Sequence, residues 1–236
     1  MFKVEGISKC FGELEVFQDI TLEFPTGKIT AILGPSGCGK TTILKIMAGL
    51  IKADQGVVVS TEQVGFLFQE PRLFQWLNVY QNLALVLEDK MPPKEVDTRI
   101  KHFLQAVGLG DYHDYYPRQL SGGMKQRVAM ARAFSYPSEL LLMDEPFKSL
   151  DLKNRHQLVS DFLKLWRKES NTVVVVTHDV KEAVWLGDQI LVLSAKPARL
   201  VERFRNDIPL ELRLNGDESW SLEQEITKVV LEYNHM

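Results

Sequence analysis

The sequence predicts an α/β fold whose strands and helices alternate on either side of a helical insert. Three observations carry that expectation. Short apolar runs such as "GKITAILG" and "TVVVVTHD", suited to buried strands, alternate with stretches at helical spacing. One strand–helix junction holds a glycine-rich loop, "GPSGCGKTT" at Gly34–Thr42. From about residue 71 to 134 the alternation stops and three helical stretches come in succession.

Element by element, "KVEGISKCF" and "QDITLEF" carry β-type residues punctuated by Gly and Pro and predict strands. "GKITAILG" is a short apolar run ending in glycine, a buried strand, and "TTILKIMAGL" has helical spacing. "QGVVVS" and "VGFLFQ" predict two further strands, the second ending at Gln69. The insert contributes "QWLNVYQNLALVLE", "EVDTRIKHFLQAVGL" and "SGGMKQRVAMARAF", all predicted helices. "PSELLLMDEP" returns to a buried strand, and "LKNRHQLVSDFLKLWRKES" is an amphipathic helix. "TVVVVTHD" is made of branched residues, as a strand covered on both faces of a parallel sheet requires. "VKEAVWLGDQI" is another helix and "QILVLS" another strand. In the tail, a Ser-x-x-Gln box at Ser221 and Gln224 predicts the start of a terminal helix. The chain is expected to be one domain, with a core at about 1–70 and 135–205, a helical subdomain at about 71–134 and a tail at about 206–236.

Composition narrows the function class. Hydrophobic residues make up 45% and charged residues 25%, ordinary for a globular protein with a substantial core. A net charge of −3 argues against a general nucleic-acid binder, which usually carries a basic excess. Only two cysteines are present, Cys10 and Cys38, and the second sits in the glycine-rich loop, so no disulfide framework and a reducing compartment are expected. The N-terminus has no apolar segment of the secretory kind, and no run approaches the ~20 residues needed to span a bilayer. The chain reads as cytoplasmic, so any membrane role goes through a partner.

Gly34–Thr41 fits G-x-x-x-x-G-K-[ST] in full, between a predicted strand and a predicted helix. The candidate phosphate cradle is Gly34, Pro35, Ser36, Gly37, Cys38 and Gly39, whose glycines let successive backbone N–H groups turn onto an anion. Lys40 neutralises the phosphate charge, and Thr41 offers a hydroxyl to Mg²⁺. Asp144 ends a buried strand, where a carboxylate serves a Mg²⁺ hydration shell, and Glu145 comes next as a base for an attacking water. Alone, such a pair is equally two acids capping a strand. Gln69 is positioned to ligate Mg²⁺ or to sense a terminal phosphate. His178, after a core strand, is either a hydrogen-bonded surface group or within reach of that phosphate. Phe11 either stacks on an adenine or packs in the core. Phe74, Trp76 and Tyr80 form either a docking patch for a partner or the packed first face of the helical insert. A second anion site is offered by "LSGGMKQR" at Leu120–Arg127, where a Ser and two Gly open a helix.

Together these residues resemble the ATP-binding subunit of ABC transporters over nearly the whole chain. Walker A falls on Gly34–Thr42, the Q-loop on Gln69, the family signature on Leu120–Arg127, and Walker B on Leu140–Asp144 followed by Glu145. The D-loop is "KSLD", Lys148–Asp151, and the switch histidine is His178. The resemblance implies a P-loop nucleotide-binding domain of ABC type, with an N-terminal antiparallel β-subdomain and the helical subdomain inserted. It implies ATP and Mg²⁺ as cofactors. For nucleotide binding it implies Phe11, Gly34, Pro35, Ser36, Gly37, Cys38, Gly39, Lys40, Thr41, Thr42, Gln69 and Asp151. Thr41, Gln69 and Asp144 hold the metal, and Lys40, Glu145 and His178 serve the reaction.

It also explains why one chain carries two phosphate sites. In the family two subunits pack head to tail, and Ser121, Gly122 and Gly123 of one close over the ATP held by the other. An ATP-dependent homodimer is therefore expected, docked on integral-membrane permease subunits and served indirectly by a solute-binding protein. No nucleic-acid partner is expected. A soluble ABC-type ATPase acting on DNA or ribosomes is the alternative. Four residues depart from the common pattern: Met124 stands where Gln is frequent, Lys148-Ser149 where Ser-Ala is frequent, and Phe11 where Tyr is frequent. Lys148 is expected to be solvated rather than paired with an acid. "FQEPRLFQW", the "LSGGMKQR" variant, "DEPFKSLD" and "IPLELRLNGDESWSLEQEI" look like importers of the nitrate, sulfonate and taurine type, whose relatives include carriers of pyrimidine precursors of thiamine.

Overall fold

A computed structural model describes residues 1–148, 150–214 and 216–233. The chain opens with strands β1 (Phe2–Phe11), β2 (Leu14–Phe24) and β3 (Ile29–Leu33), then helix α1 (Lys40–Met47) and strands β4 (Gln55–Val59) and β5 (Val64–Leu67). Helices α2 (Val79–Ala84), α3 (Pro93–Ala106) and α4 (Gly122–Ser135) come after them. Next are β6 (Leu140–Asp144), α5 (Leu152–Glu169), β7 (Thr172–Thr177), α6 (Val180–Leu186), β8 (Gln189–Leu193), β9 (Leu200–Arg205) and α7 (Asp217–Tyr233).

Two sheets form. The first is a three-stranded antiparallel sheet in the order β2-β1-β4. The second has six strands in the order β5-β6-β7-β3-β8-β9, parallel except for the antiparallel edge strand β9. Every residue of β3, β6 and β7 is buried, which is why these strands are near-continuous runs of Val, Leu and Ile rather than alternating patterns. Each such side chain contributes about 1.5–3 kcal/mol when fully buried. One core packs the faces of α2–α7 against the parallel sheet around Phe103, Phe134, Phe147 and Phe162. The other packs α1 between the parallel sheet and the antiparallel one, around Phe17, Phe24, Ile43 and Leu44.

This order determines where chemistry collects. In parallel α/β sheets, ligands bind outside the carboxyl ends of the strands. Adjacent strands β5, β6, β7 and β3 end in the same direction, so the residues just beyond them lie side by side: Gln69, Glu145, His178 and Gly34.

Several expectations are corrected. The Ser221 and Gln224 box does not cap α7, which starts at Asp217, so both residues lie inside the helix. Asp217 and Glu218 occupy its first turn, where acidic side chains complement the positive end of the dipole. The tail prediction also reaches Asn234, which lies outside the described residues. The helix expected over "QWLNVYQNLALVLE" is regular only over Val79–Ala84, because Asn78 and Gln81 form a capping box that fixes its start. Strand β5 ends at Leu67, so Gln69 sits in the loop beyond it rather than ending the strand. Strand β9 is an element that the sequence reading lacks: "LVERFR" is a charged, half-exposed edge strand, a pattern that keeps an edge from pairing with other chains.

The tail is held to the core by buried polar contacts. Arg213, 4% exposed, donates to the carbonyls of Ile208 and Leu186 and pairs with Asp188 at 2.9 Å. The Asn206 amide donates to the carbonyls of Val184 and Gly187. The bonds to Val184, Leu186 and Gly187 occupy carbonyls at the end of α6 that the helix itself leaves unpaired.

Candidate functional site

The glycine-rich loop joins β3 to α1, and its backbone is shaped by two glycines at positive φ: Gly37 at 80° and Gly39 at 115°. Gly39 is also a matter of space. A Cβ there would lie 2.5 Å from Val16 Cγ1 and 3.2 Å from Phe17 Cδ1, both on β2. The antiparallel sheet thus presses against the loop, and only glycine fits beneath it. The opposite side of the loop is open. Ser36 and Gly37 form an exposed turn at its tip, closed by the Cys38 N–H donating to the Pro35 carbonyl at 3.3 Å. The Ser36 side chain is therefore at the surface, at the tip of the loop. No side chain caps α1 at Gly39, so its first N–H groups are free to meet an anion. Cys38 is buried, with its thiol pushed up from the ordinary range by burial, an inert group packed under the loop. Thr42, in the first turn of α1, is half-buried.

Lys40 is 4% exposed. Its ammonium donates to the carbonyls of Gly34 at 2.7 Å and Pro35 at 2.8 Å, so the side chain curls back under the loop. Burial lowers its pKa, opposed by Cys38 and by the charges of Glu145 and Asp144. An anion in the loop restores the charge balance that burial disturbs. Beside it, the Thr41 hydroxyl donates to Asp144 Oδ1 at 2.8 Å. Asp144 is 8% exposed, and burial raises its pKa against the opposing Thr41 bond.

Glu145 comes after Asp144 at φ 40°, a left-handed conformation that costs about 1–3 kcal/mol for a non-glycine residue. Its N–H donates to the Val176 carbonyl of β7 at 3.0 Å, which holds the turn. Glu145 Oε2 lies 2.6 Å from the Lys148 ammonium and 3.3 Å from His178 Nδ1. Burial alone would raise this carboxyl; the Lys148 contact and the His178 charge outweigh it and hold the pKa below the ordinary range. Lys148 is therefore not the solvated lysine expected from sequence: with Glu145 three residues back across a tight turn, its ammonium reaches the carboxylate.

Behind His178 lies a charged cluster that sequence reasoning does not single out. Asp179 caps α6 through the N–H groups of Lys181 and Glu182. Arg155 of α5 reaches Asp179 Oδ2 at 2.8 Å and the Leu150 carbonyl at 3.3 Å. Thr177 donates to the buried Glu182 at 2.7 Å, and burial raises that carboxyl. The only signal in the sequence is helical spacing: Arg155 lies four residues after Asp151, a separation too common to mark a site.

The remaining residues lie around this centre. Gln69 is exposed in the loop after β5. Phe11 ends β1 with half its surface exposed, so it is not a core residue, and the Lys9 ammonium lies 5.3 Å from its ring centroid. Ser121 caps the fourteen-residue α4 by accepting the Met124 N–H at 3.3 Å. Side chains added at Gly122 or Gly123 would meet nothing within 4 Å, so the first turn of α4 is open. Within "KSLD", Asp151 caps α5 through Asn154 and Ser149 lies outside the described residues. Trp76 is 72% exposed and stands edge-on to half-exposed Phe74, whereas Tyr80 packs against the helical core.

The site fits Mg²⁺. The Thr41 hydroxyl and the Asp144 carboxylate form a hard oxygen pair within hydrogen-bond distance. Among the described residues no group of three acidic, His or Cys side chains forms a closed metal cage. Mg²⁺ favours such a sparse site, keeping waters and substrate phosphates as its other ligands.

Comparison with known proteins adds to this geometry. The family model described as "ABC transporter" matches residues 17–148. The aliphatic sulfonates import ATP-binding protein SsuB of Bacillus cereus (strain ATCC 10987 / NRS 248) is 38% identical, the match covering 97% of this chain and 94% of that protein. The taurine import ATP-binding protein TauB of Roseobacter denitrificans is 37% identical over 81% of this chain and 75% of that protein. Among solved structures, the dimeric post-hydrolysis state of the ATP-binding cassette MJ0796 bound to ADP and Pi has a TM-score of 0.75 at 28% identity, covering 87% of this chain and 98% of that one. The cbiO1 structure from Clostridium perfringens, part of the cbiONQ transporter complex, shares the fold with a TM-score of 0.80 at 24% identity, covering 98% and 94%.

Proposed function

The chain belongs to the ABC transporter family, and on that premise we propose which residues carry its ATP hydrolysis and which solute its transporter moves. It is the ATP-hydrolysing, energy-coupling subunit of an importer and works with membrane permease subunits. A soluble ATPase acting on DNA or ribosomes has no support among relatives whose names are import ATP-binding proteins.

In this reading the loop from Gly34 to Thr42, with Ser36 at its tip, cradles the ATP phosphates, and Phe11 stacks on the adenine. Lys40 leaves the Gly34 and Pro35 carbonyls for the terminal phosphates, and the exchange is favourable because a charged acceptor binds an ammonium more strongly than a neutral one. Thr41, Asp144 and Gln69 hold Mg²⁺ together with the phosphates. Mg²⁺, when bound, neutralises charge on the transferring phosphoryl group. Glu145 orients and deprotonates the attacking water. His178, in contact with Glu145, faces the γ-phosphate. Ser121, Gly122 and Gly123 of a second copy close over that phosphate from the other side, with Asp151 near the seam. The core at 1–70 and 135–205 and the helical part at 71–134 then belong to two different ATP molecules.

The single observation that supports this reading best is the row of groups after four adjacent strands, with Lys40, Thr41, Asp144, Glu145 and His178 gathered there and Thr41–Asp144 and Glu145–His178 in direct contact. The solute proposed is a small sulfonate anion of the alkanesulfonate or taurine class, as the names of the relatives suggest. Among the described residues no helix is long and apolar enough to cross a membrane, and the site proposed for the chain is the cytoplasmic face of the membrane, held by its permease. A solute-binding protein delivers the anion from the other side. Reconstitution with that permease and binding protein tests the solute: a sulfonate is expected to raise ATP turnover several-fold. Stimulation by a heterocyclic thiamine precursor and not by sulfonates contradicts the assignment.

A further inference from the structure

Helix α4 carries a cation that none of the chemistry above uses. Arg132 is partly buried, burial lowers its pKa, and among the described residues no carboxylate pairs with it. Its guanidinium instead donates to two main-chain carbonyls, Nη1 to Arg72 at 3.1 Å and Nη2 to Pro71 at 3.0 Å. A cation drawn out of water and satisfied only by neutral acceptors is a poor way to gain stability, and an apolar side chain of similar length fills the same space without the desolvation cost. The planar fork does something an apolar chain does not: it holds two successive carbonyls in a fixed place.

Those carbonyls lie two and three residues after Gln69. The segment between is closed on itself. Arg72 adopts φ 45°, and its guanidinium lies 4.0 Å from the ring centroid of Phe68. Phe68 and Arg72 therefore clasp the loop on either side of Gln69. Further along, buried Asn82 accepts the Phe74 N–H and donates to the Phe74 carbonyl, so the loop is anchored downstream as well. At the other end of the same helix, eleven residues from Arg132 and about 16 Å along a rigid rod, stands Ser121.

We propose that Arg132 is a positioning residue for ATP hydrolysis, fastening the segment that carries Gln69 to the helix whose first turn is Ser121–Gly123. This rests on the roles given above to Gln69 and Ser121. When the first turn of α4 is drawn onto an ATP, the whole helix moves, and the Pro71 and Arg72 carbonyls move with the guanidinium. Gln69 is thereby set by an event at a different nucleotide. One rigid helix with a charged fork at its far end supplies the contact between the two sites.

A double-mutant cycle on the full-length chain tests this, with kcat and KM for ATP and the melting temperature read for Arg132→Met, Arg132→Lys and Gln69→Ala. Arg132→Met is expected to lower kcat about tenfold with KM for ATP within about twofold, and Arg132→Lys, which serves one carbonyl, to recover part of the loss. In the Gln69→Ala background Arg132→Met is expected to change kcat by less than about twofold, although its thermal cost persists. Equal losses in both backgrounds, or losses that simply follow the melting temperature, overturn the inference. A Gln69→Ala protein with unchanged kcat overturns the reading of Gln69 itself and this inference with it. Should Arg132→Met not fold, Arg132→Lys completes the same cycle.

Discussion

Replacing Gly39 by Ala isolates how the antiparallel sheet shapes the phosphate loop. Two costs add. At φ 115° an L side chain is strained by about 1–3 kcal/mol. The new Cβ would also fall 2.5 Å from Val16 Cγ1, well inside ordinary contact at about 3.5–4.0 Å. Val16 is 2% exposed and Phe17 fully buried, so neither has room to retreat, and overpacking adds about 1–3 kcal/mol. The sum, about 2–6 kcal/mol, is a large share of the ~5–15 kcal/mol that holds a domain folded. Gly37→Ala is the control: it too has positive φ, 80°, but its Cβ meets nothing within 4 Å, so only the backbone cost applies. Urea unfolding of the nucleotide-free proteins is expected to place Gly39→Ala about 1–3 kcal/mol below Gly37→Ala. If the two variants unfold within ~0.5 kcal/mol of each other, the sheet does not press on the loop as described.

Three further outcomes are expected. Lys148→Met removes the main influence that offsets burial at Glu145, so its carboxyl titrates higher; the acidic limb of the kcat–pH profile moves to higher pH, and an unmoved limb contradicts the pairing. In linkage terms Glu145, depressed when folded, contributes stability above its unfolded pKa that is lost as pH falls through the folded value, and Lys148→Met weakens that acid-side dependence in unfolding experiments. Chelation of Mg²⁺ abolishes turnover. Because burial raises Asp144, apparent Mg²⁺ affinity is expected to start falling at a higher pH on the acid side than an ordinary carboxylate would give, which Mg²⁺ titrations across a pH series read directly. Phe11→Ala weakens ATP binding by about 0.5–1.5 kcal/mol, roughly twofold to tenfold, whereas Phe11→Tyr leaves it unchanged; equal binding by all three proteins removes Phe11 from the adenine site.

How much of this is legible in the sequence depends on the range of the interactions involved. Strands β3, β6 and β7 are buried along their whole length, so their identity is written in near-continuous apolar runs, rich in Val, Ile and Leu, that need no context. The phosphate loop is legible because its chemistry is local, every donor lying within Gly34–Thr42. Strand β9 is illegible because an edge strand needs only one neighbour, and its charges imitate a surface loop. The start of α7 is misleading because Ser221 and Gln224 satisfy a local rule, while the buried Ser219, bonded to the Arg213 carbonyl, ties the true first turn to the tail. Lys148 looks solvated because sequence shows its separation from Glu145 but not the left-handed turn that brings them together. The Arg155 and Arg132 contacts join segments 24 and 60 residues apart, distances at which pattern carries no signal.

In the proposed function one chain holds half of each of two ATP sites, and ATP joins two copies. The most direct test is the solution mass of the Glu145→Gln protein with and without ATP and Mg²⁺. Loss of the base is expected to slow hydrolysis by about 10²–10⁴-fold while leaving binding intact, so the closed state persists. The mass is expected to double with ATP and to stay unchanged without it, and the doubling is expected to be lost when Ser121 is also replaced by a bulky residue. A protein that binds ATP and stays a monomer contradicts the claim that two copies of this chain complete each other's sites.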